Sequence, residues 1–314
     1  MDGLQPATSD PPPSLAPDGP VFVTGGTGFV GGNIREALRG RPLRLLVRDK
    51  VKAAAEAEAG IELVEGDVTR PESLRGAMDG CSAVVHLVAI ISEEGGATFD
   101  GVIHHGTVNV LEEASRAGIG RFIQMSALGA RDDTRFPYLQ AKWRAEQAVQ
   151  ASGIPWTIFR PSVIFGPGDE FINQLASVVR KFPIIPVVGD GQSTFMPVAV
   201  KEVAAAFRRA LDDPATIRQI YELGGGKVYT YEAMLNVIAA KLGKRKPKVH
   251  VPVSLMMPVV TFSKPLPKAL RPPVTEEQLK MLALDNSTDQ NAIAELIGQP
   301  PTALEDGIDY IVKR

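Results

Sequence analysis

The sequence predicts an α/β protein with a parallel sheet covered by helices on both faces. Short runs rich in Val, Ile and Leu alternate with helical patterns from residue 21 onward, and a glycine-rich turn follows the first run. Strands that are buried on both faces read as such near-continuous apolar runs. The predicted strands are VFVT, LRLLV, IELVEG, AVVHLVAI, RFIQMS and PWTIFR. Six such strands alternating with helices indicate a doubly wound, Rossmann-like sheet.

Helical patterns follow each of the first five strands. They are GFVGGNIREAL, VKAAAEAEA, PESLRGAM, HGTVNVLEEASRA and YLQAKWRAEQAV. After Pro161 the pattern loosens, and helix-like segments are joined by stretches rich in Gly and Pro. We therefore expect a tail at 1–18, a dinucleotide-binding domain at 19–165 with returns near 195–225, and a smaller, partly interleaved substrate or partner lobe at 166–314.

Composition narrows the class of protein. The chain has 314 residues and a net charge of −2, so no electrostatic feature indicates a nucleic-acid partner. Its single cysteine, Cys81, excludes an internal disulfide framework and fits a reducing compartment. The first 18 residues are rich in Pro and Asp and lack basic residues, which predicts a disordered tail instead of a signal peptide. No apolar run reaches the roughly 20 residues of a membrane span, so we expect a cytoplasmic protein.

A glycine-rich turn directly after the first strand predicts a dinucleotide site. Gly25, Gly28 and Gly31 have the spacing G-x-x-G-x-x-G. Glycines at this spacing let the turn fold tightly and let the backbone approach a pyrophosphate, which then lies at the positive end of the following helix. The alternative is a plain turn between a strand and a helix. The residues expected to contact the cofactor here are Gly25, Thr27, Gly28, Phe29, Val30 and Gly31.

The end of the second strand should select the cofactor. Arg48 stands there and Asp49 follows it. An acidic residue would bind the ribose 2′-hydroxyl of NAD, whereas Arg pairs with the 2′-phosphate of NADP. The sequence thus favours NADP(H) over NAD(H), unless Arg48 is only a solvated charge. Asp67 and Val68, after the third strand, are expected near the adenine, although Asp67 is equally suited to cap a helix.

Tyr138 and Lys142 form a pair that could transfer a proton. They lie four positions apart in a helical pattern, so they share one face of that helix. The alternative is an ordinary pair of surface residues.

The motifs together resemble the short-chain dehydrogenase/reductase superfamily, in its extended, NAD-dependent epimerase/dehydratase and atypical branches. The motifs are TGGTGFVG, GDVTRPESL, HLVAI, GTVNVLEEA, MSALGA, the Tyr138/Lys142 pair and RPSVIFGPGDEF. The narrower resemblance, carried by HLVAIISEEG, MSALGARDD and FRPSVIFGPGDEF, is to bacterial relatives of the dinucleotide-binding accessory subunit of respiratory complex I.

The resemblance implies roles for individual residues. Tyr138 would exchange the proton at the substrate oxygen, Lys142 would favour the phenolate and hold the nicotinamide ribose, and Ser126 would bind the substrate oxygen. Some members carry this serine one place further along, where this chain has Ala127. The resemblance also places Leu87, Val88, Ala89, Pro161, Ser162 and Val163 beside the cofactor. It assigns Asn109 a structural role.

Three functions are consistent with these residues. The first is hydride transfer to or from a small, lipid-like or quinone-related carbonyl compound. The second is a non-catalytic, NADPH-binding accessory or assembly role with a respiratory complex as partner. The third is sugar-nucleotide epimerase or dehydratase chemistry, which is disfavoured because residues 165–225 show no basic and aromatic site for a diphosphate.

Two further patterns concern metals and membranes. His86, His104, His105 and His250 show no ligand spacing, and the adjacent His104 and His105 should point to different faces of a helix, so no metal site is expected. Residues 241–271 place basic residues on both sides of an apolar segment from Val251 to Phe262. This segment either covers the core of the C-terminal lobe or lies on a membrane surface, with Leu255, Met256, Met257 and Phe262 in the acyl boundary.

Overall fold

The computed structural model describes residues 19–263 and 274–312, in which a seven-stranded parallel sheet forms the centre. Along the chain the strands are β1 (Val21–Thr24), β2 (Leu43–Val47), β3 (Ile61–Glu65), β4 (Ala83–His86), β5 (Arg121–Met125), β6 (Trp156–Pro161), β7 (Ile164–Phe165), β8 (Ile185–Val188), β9 (Thr194–Phe195), β10 (Val198–Ala199), β11 (Gln219–Leu223), β12 (Tyr229–Thr230) and β13 (Lys248–Val251). The order in the sheet is β11-β6-β5-β4-β1-β2-β3. The predicted fold class is confirmed.

Helices cover both faces of this sheet and build the C-terminal lobe. They are α1 (Phe29–Ala37), α2 (Gly106–Arg116), α3 (Pro137–Ala151), α4 (Phe171–Lys181), α5 (Val200–Asp212), α6 (Tyr231–Lys241), α7 (Val253–Ser263), α8 (Glu276–Leu282), α9 (Ile293–Ile297) and α10 (Leu304–Gly307). A π-helical segment, Asp100–His105, leads directly into α2. Within the described residues, no helix is long and apolar enough to cross a bilayer.

Two predicted helices are absent as such. The segments after β2 and β3 contain only short 3-10 turns, Ala54–Glu56 and Pro71–Ser73. In the first segment only Ala53 is buried between 51 and 60, so a helix there would have no apolar face to pack. In the second, Gly76 has φ of +78°, a left-handed conformation that interrupts the helical turn soon after it starts.

The strand order of the sheet reverses between β1 and β4. β2 and β3 lie on one side of β1, whereas β4, β5 and β6 lie on the other. Thr24 of β1 pairs with His86 of β4, so the carboxyl ends of these two strands meet at the same edge. Ligands of doubly wound sheets bind in the crevice at this reversal point.

A seventh strand comes from the second half of the chain. β11 pairs with β6 in parallel, from Gln219 beside Thr157 to Leu223 beside Pro161. Its sequence, QIYEL, mixes polar and apolar residues, and the sequence analysis did not predict it as a strand. Through β11 the C-terminal half is attached to the sheet next to the residues that follow β6.

Side chains point alternately to the two faces of the sheet along each strand, and this divides the core into two parts. Val21 and Val23 pack with α1 and α5 on one face, whereas Phe22 packs with α2 and α3 on the other. A third apolar cluster fills the C-terminal lobe, built around Phe165, Ile172, Ile185, Phe195, Leu235 and Leu304. In this lobe short two-stranded ladders pair β7 with β10, β8 with β13 and β9 with β12.

Candidate cofactor and active site

A cleft of about 2150 Å³ runs across the carboxyl edge of the sheet and into the C-terminal lobe. Every residue that the sequence analysis assigned to a cofactor or catalytic role lies along this one cleft. These residues are Gly25, Thr27, Gly28, Phe29, Val30, Gly31, Arg48, Asp67, Val68, Leu87, Val88, Ala89, Ser126, Tyr138, Lys142, Pro161, Ser162 and Val163. The structure thus brings the whole set together, while the role of each residue stays a prediction.

The glycine turn after β1 forms a tight cradle. Gly25 has φ of +70°, and the amide of Gly28 donates to the carbonyl oxygen of Gly25 at 3.1 Å. A Cβ atom on Gly31 would lie 2.3 Å from that same carbonyl oxygen, so a side chain at this position would push α1 away from the turn. Gly28 caps α1 without any side chain that could occupy the helix N-terminus. The positive end of α1 is therefore open to a phosphate group.

Arg48 and Asp49, at the end of β2, differ in their side-chain contacts. Asp49 accepts hydrogen bonds from the backbone amide and the ammonium of Lys52, and these hydrogen bonds hold the pKa of its carboxyl below the usual value. Arg48 is exposed, lines the cleft, and makes no hydrogen bond or ion pair within the described residues. The guanidinium is thus available to an anion, whereas the carboxylate is already engaged.

Asp67 stabilises its own turn. Its Oδ1 accepts from the backbone amide of Thr69 at 2.9 Å and from the Thr69 hydroxyl at 2.8 Å. Burial alone would raise the pKa of Asp67, but these hydrogen bonds and the charges of Arg48 and Arg70 lower it overall. The neighbouring Val68 is buried, and its carbonyl accepts from Nδ2 of Asn109 at 2.8 Å, which is a structural contact.

Tyr138 and Lys142 lie on one face of α3, as their spacing predicts. The Lys142 ammonium is 6.0 Å from the centre of the Tyr138 ring and donates to the carbonyl oxygen of Met125 at 2.9 Å. Lys142 is 1% exposed, and burial lowers its pKa to about 8. Burial raises the pKa of Tyr138 to about 12. The ammonium therefore lies near the ring and a backbone carbonyl, and it makes no hydrogen bond to the phenol oxygen.

Ser126 lies at the end of β5 beside this pair. Its backbone amide donates to the carbonyl of Phe159, while its hydroxyl is buried and has no hydrogen-bond partner within the described residues. Buried hydroxyls are usually hydrogen-bonded, so an unpartnered one that faces a cleft is a candidate to bind a ligand oxygen.

Contacts from other parts of the chain support these residues. The backbone amide of Tyr138 is 3.4 Å from a carboxylate oxygen of Glu277 on α8, and Phe99 packs edge-on against the Tyr138 ring. Asn286 accepts a hydrogen bond from the backbone amide of Val163. The sequence analysis missed all three residues. Glu277 and Asn286 lie well over 100 positions from their partners, and no local motif marks them.

One structural expectation about the histidines is wrong. His104 and His105 do not point to different faces, because the wider π-helical turn brings both to Asp100, at 3.1 and 3.2 Å. Arg144 also donates to this carboxylate at 3.0 Å, and its positive charge opposes a bound cation. The absence of a metal site stays a prediction. His86 is fully buried between the hydroxyls of Thr24 and Thr107.

Comparison with known proteins is consistent with this geometry. The sequence profile of the family described as NAD(P)H-binding matches residues 25–182, and that of the RmlD substrate binding domain matches residues 132–297. An NADPH-dependent quinone oxidoreductase from Escherichia coli, solved with NADPH, superposes with a TM-score of 0.73 at 21% identity, over 93% of this chain and 99% of that one. This likeness shows a shared fold.

Two curated relatives are similar in sequence. The mitochondrial NADH dehydrogenase [ubiquinone] 1 alpha subcomplex subunit 9 of Arabidopsis thaliana is 28% identical over 86% of this chain and 71% of that protein. A ceramide reductase of Caulobacter vibrioides is 32% identical over 60% of this chain, and the match spans only 59% of that relative. Because the NAD(P)H-binding profile matches half of its length, the chain belongs to that family. It has the epimerase/dehydratase-like fold of the short-chain dehydrogenase/reductase superfamily.

Proposed function

We propose that the protein is an NADP(H)-dependent oxidoreductase that transfers a hydride between the nicotinamide and the carbonyl group of a small apolar substrate, lipid-like or quinone-related. The observation that carries the proposal is the convergence of Ser126, Tyr138 and Lys142 on the cleft that begins at the glycine turn. A protein that only bound a dinucleotide would not need these three groups together.

The bound nicotinamide would supply the hydride, and the protein would manage the proton. In reduction, the unpartnered hydroxyl of Ser126 donates a hydrogen bond to the substrate carbonyl oxygen, and Tyr138 transfers its phenolic proton to that oxygen. A phenol whose pKa is raised to about 12 needs stabilisation of its phenolate form. Lys142 is a buried cation 6.0 Å from the centre of that ring, one helical turn away.

The lining of the cleft favours an apolar substrate. From residue 164 onward, no Lys or Arg lines it in the part of the chain that the structure describes. A nucleotide-sugar diphosphate would require such cations, so the epimerase or dehydratase alternative is disfavoured, although the RmlD profile match supports it. Apolar side chains line this half instead, among them Phe171, Leu175, Val178, Met256, Leu279 and Leu282.

A second candidate function is a non-catalytic accessory or assembly role, with NADPH as a structural ligand and a respiratory complex as partner. The Arabidopsis relative and a 40 kDa subunit of NADH-ubiquinone oxidoreductase from Neurospora crassa, 27% identical over 76% of this chain, support it. The position of Lys142, bonded to the Met125 carbonyl instead of the phenol, is also compatible with a pair that no longer reacts.

Cofactor preference tests the adenosine end of the cleft. If Arg48 pairs with the 2′-phosphate, NADPH should bind more tightly than NADH, and Arg48→Ala should weaken NADPH roughly ten- to a hundredfold, because a charge-assisted hydrogen bond contributes about 1.5–3 kcal/mol. Fluorescence titration of both cofactors measures this. Lys50→Ala is the matched control, because Lys50 is exposed on the same turn and does not line the cleft. Equal affinities of the wild type for NADPH and NADH would refute the preference.

Turnover tests the proton-transfer pair. Tyr138→Phe should abolish NADPH oxidation with apolar ketones or quinones, yet change cofactor affinity by no more than a few fold, since the phenol acts mainly in the transition state. Tyr221→Phe, on β11 and outside the cleft, should leave turnover intact. If Tyr138→Phe changes neither turnover nor a cellular phenotype, while Gly31→Val changes the phenotype, the accessory role is correct.

The buried charge of Lys142 predicts a cost in stability. Its pKa is about 8 in the fold against 10.5 for the free side chain, so the unfolded chain binds this proton more tightly. The free energy of unfolding should therefore rise as the pH increases from about 8 to 10.5. Lys142→Met should stabilise the protein at pH 7 by up to about 3 kcal/mol, less roughly 1 kcal/mol for the lost hydrogen bond.

Urea unfolding at pH 7 and pH 10.5 measures this difference, and the advantage of Lys142→Met should disappear at the higher pH. Lys52→Met is the control, because the Lys52 side chain is 85% exposed. A Lys142→Met protein that is less stable than the wild type at pH 7 would contradict the conclusion that the buried charge of Lys142 destabilises the fold.

Membrane contact by the segment around α7 remains a prediction. Leu255, Val259 and Phe262 are 65%, 62% and 80% exposed, at a spacing that puts them on one helix face. Met256 and Met257 are only partly exposed, and Met256 lines the cleft. Exposed cations lie nearby in sequence at Lys244 and Arg245, whereas residues 264–273 lie outside the described residues.

Vesicles rich in phosphatidylglycerol test this prediction. The protein should sediment with them at low salt and be released at high salt, since cations and an exposed apolar face act together at such a surface. Exchange of Lys244 and Arg245 for Glu should abolish binding, whereas exchange of the distant, exposed Arg39 and Arg75 should not. No sedimentation of the wild type at low salt would exclude this surface as a membrane contact.

A further inference from the structure

The strip Pro161–Val163 forms one wall of the cleft after β6, and its own hydrogen-bonding groups are largely committed. Pro161 has no amide proton, and the Ser162 amide donates to the carbonyl of Leu223. The Val163 amide donates to Oδ1 of Asn286 at 3.1 Å, and the Ser162 hydroxyl donates to the same residue, 2.6 Å from Oδ1 and 2.8 Å from the backbone carbonyl oxygen. The strip therefore keeps no free donor for a molecule bound in the cleft.

Asn286 reaches this strip from the C-terminal segment. Its backbone amide donates to the carbonyl of Thr194, and its own carbonyl accepts from the amide of Met196, so the backbone is held on both sides. The hydrogen bond from the Val163 amide fixes the orientation of the side-chain amide, since only its oxygen can accept it. Nδ2 is left as the donating end, and it makes no hydrogen bond within the described residues.

We propose that Asn286 is a cofactor-binding residue whose Nδ2 donates a hydrogen bond to the carboxamide oxygen of the nicotinamide. This inference rests on the proposed function, because it requires a nicotinamide at this strip. Asn286 lines the same cleft as Ser126, Tyr138 and Lys142. The C-terminal segment then contributes directly to the reactive end of the cofactor and replaces the donor that Val163 has committed to Asn286.

The chemistry of the side chain offers a specific substitution. Asn286→Asp keeps an oxygen for Ser162 and Val163 but replaces the donating Nδ2 with a second oxygen, which would face the carboxamide oxygen. The fold should therefore tolerate the change while the nicotinamide does not. A carboxylate here also attracts the positive ring of NADP⁺, so the loss of affinity should be smaller for NADP⁺ than for NADPH.

The experiment compares two ligands by calorimetry. NADPH contains the nicotinamide, whereas 2′-phospho-ADP-ribose is the same molecule without it. Asn286→Asp should weaken NADPH at least tenfold, weaken NADP⁺ less, and leave the affinity for 2′-phospho-ADP-ribose within twofold. Ser287→Ala is the matched control, because Ser287 lies next in sequence, contacts Thr194 and does not line the cleft. Ser287→Ala should leave the affinities for NADPH, NADP⁺ and 2′-phospho-ADP-ribose unchanged.

The outcomes separate the two proposals. Unchanged NADPH affinity in Asn286→Asp, or an equal loss for NADPH and the fragment, overturns the role of Asn286 while cofactor binding stands. A wild-type protein that binds neither NADPH nor the fragment overturns the proposed function, and this inference with it. If Asn286→Asp unfolds, Asn286→Ser, which removes Nδ2 and keeps a small polar side chain, provides the same comparison of ligands.

Discussion

The contact between α1 and the turn that follows β1 determines how the cleft is built. Gly31 approaches the carbonyl oxygen of Gly25 so closely that a Cβ atom would lie 2.3 Å from it. This approach holds the N-terminus of α1 beside the carboxyl end of β1, where the order of strands in the sheet reverses. Because β4 pairs with β1 and β5 with β4, the position of β1 also sets that of Ser126 at the end of β5.

Buried polar groups in the described residues differ in whether they have a hydrogen-bond partner. Away from the cleft, the Glu146 carboxylate is fully buried and pairs with Arg160, and His86 lies between two threonine hydroxyls. Other buried polar atoms lack a partner within the described residues, among them Gln124 Oε1, Glu202 Oε2 and the Ser126 hydroxyl, and of these three only Ser126 lines the cleft. Leaving a buried polar group unsatisfied costs free energy, and a ligand that satisfies it recovers that cost. The buried, unpartnered hydroxyl of Ser126 is therefore a place where a ligand in the cleft would gain stabilisation.

Local patterns in the sequence were sufficient for part of this structure. The glycine turn and the apolar strands follow from backbone conformation and burial over a few residues, and the spacing of Tyr138 and Lys142 follows from helix geometry. The helices predicted after β2 and β3 failed for different reasons: the first segment buries only Ala53, whereas in the second Gly76 adopts a left-handed conformation that interrupts the helix. The contact of His104 and His105 with Asp100 depends on a π-helical turn, which no simple periodicity reveals. Asn286 and Glu277 reach the site through tertiary contacts, and these are invisible to local reasoning.

The central claim is that one cleft orients a nicotinamide dinucleotide toward Tyr138. A crystal structure of the protein with NADPH tests this most directly. The account predicts the pyrophosphate at the N-terminus of α1, the 2′-phosphate at Arg48 and the nicotinamide C4 facing Tyr138 and Ser126. A cofactor bound with its nicotinamide turned away from Tyr138 into solvent, or bound outside this cleft, would contradict the account.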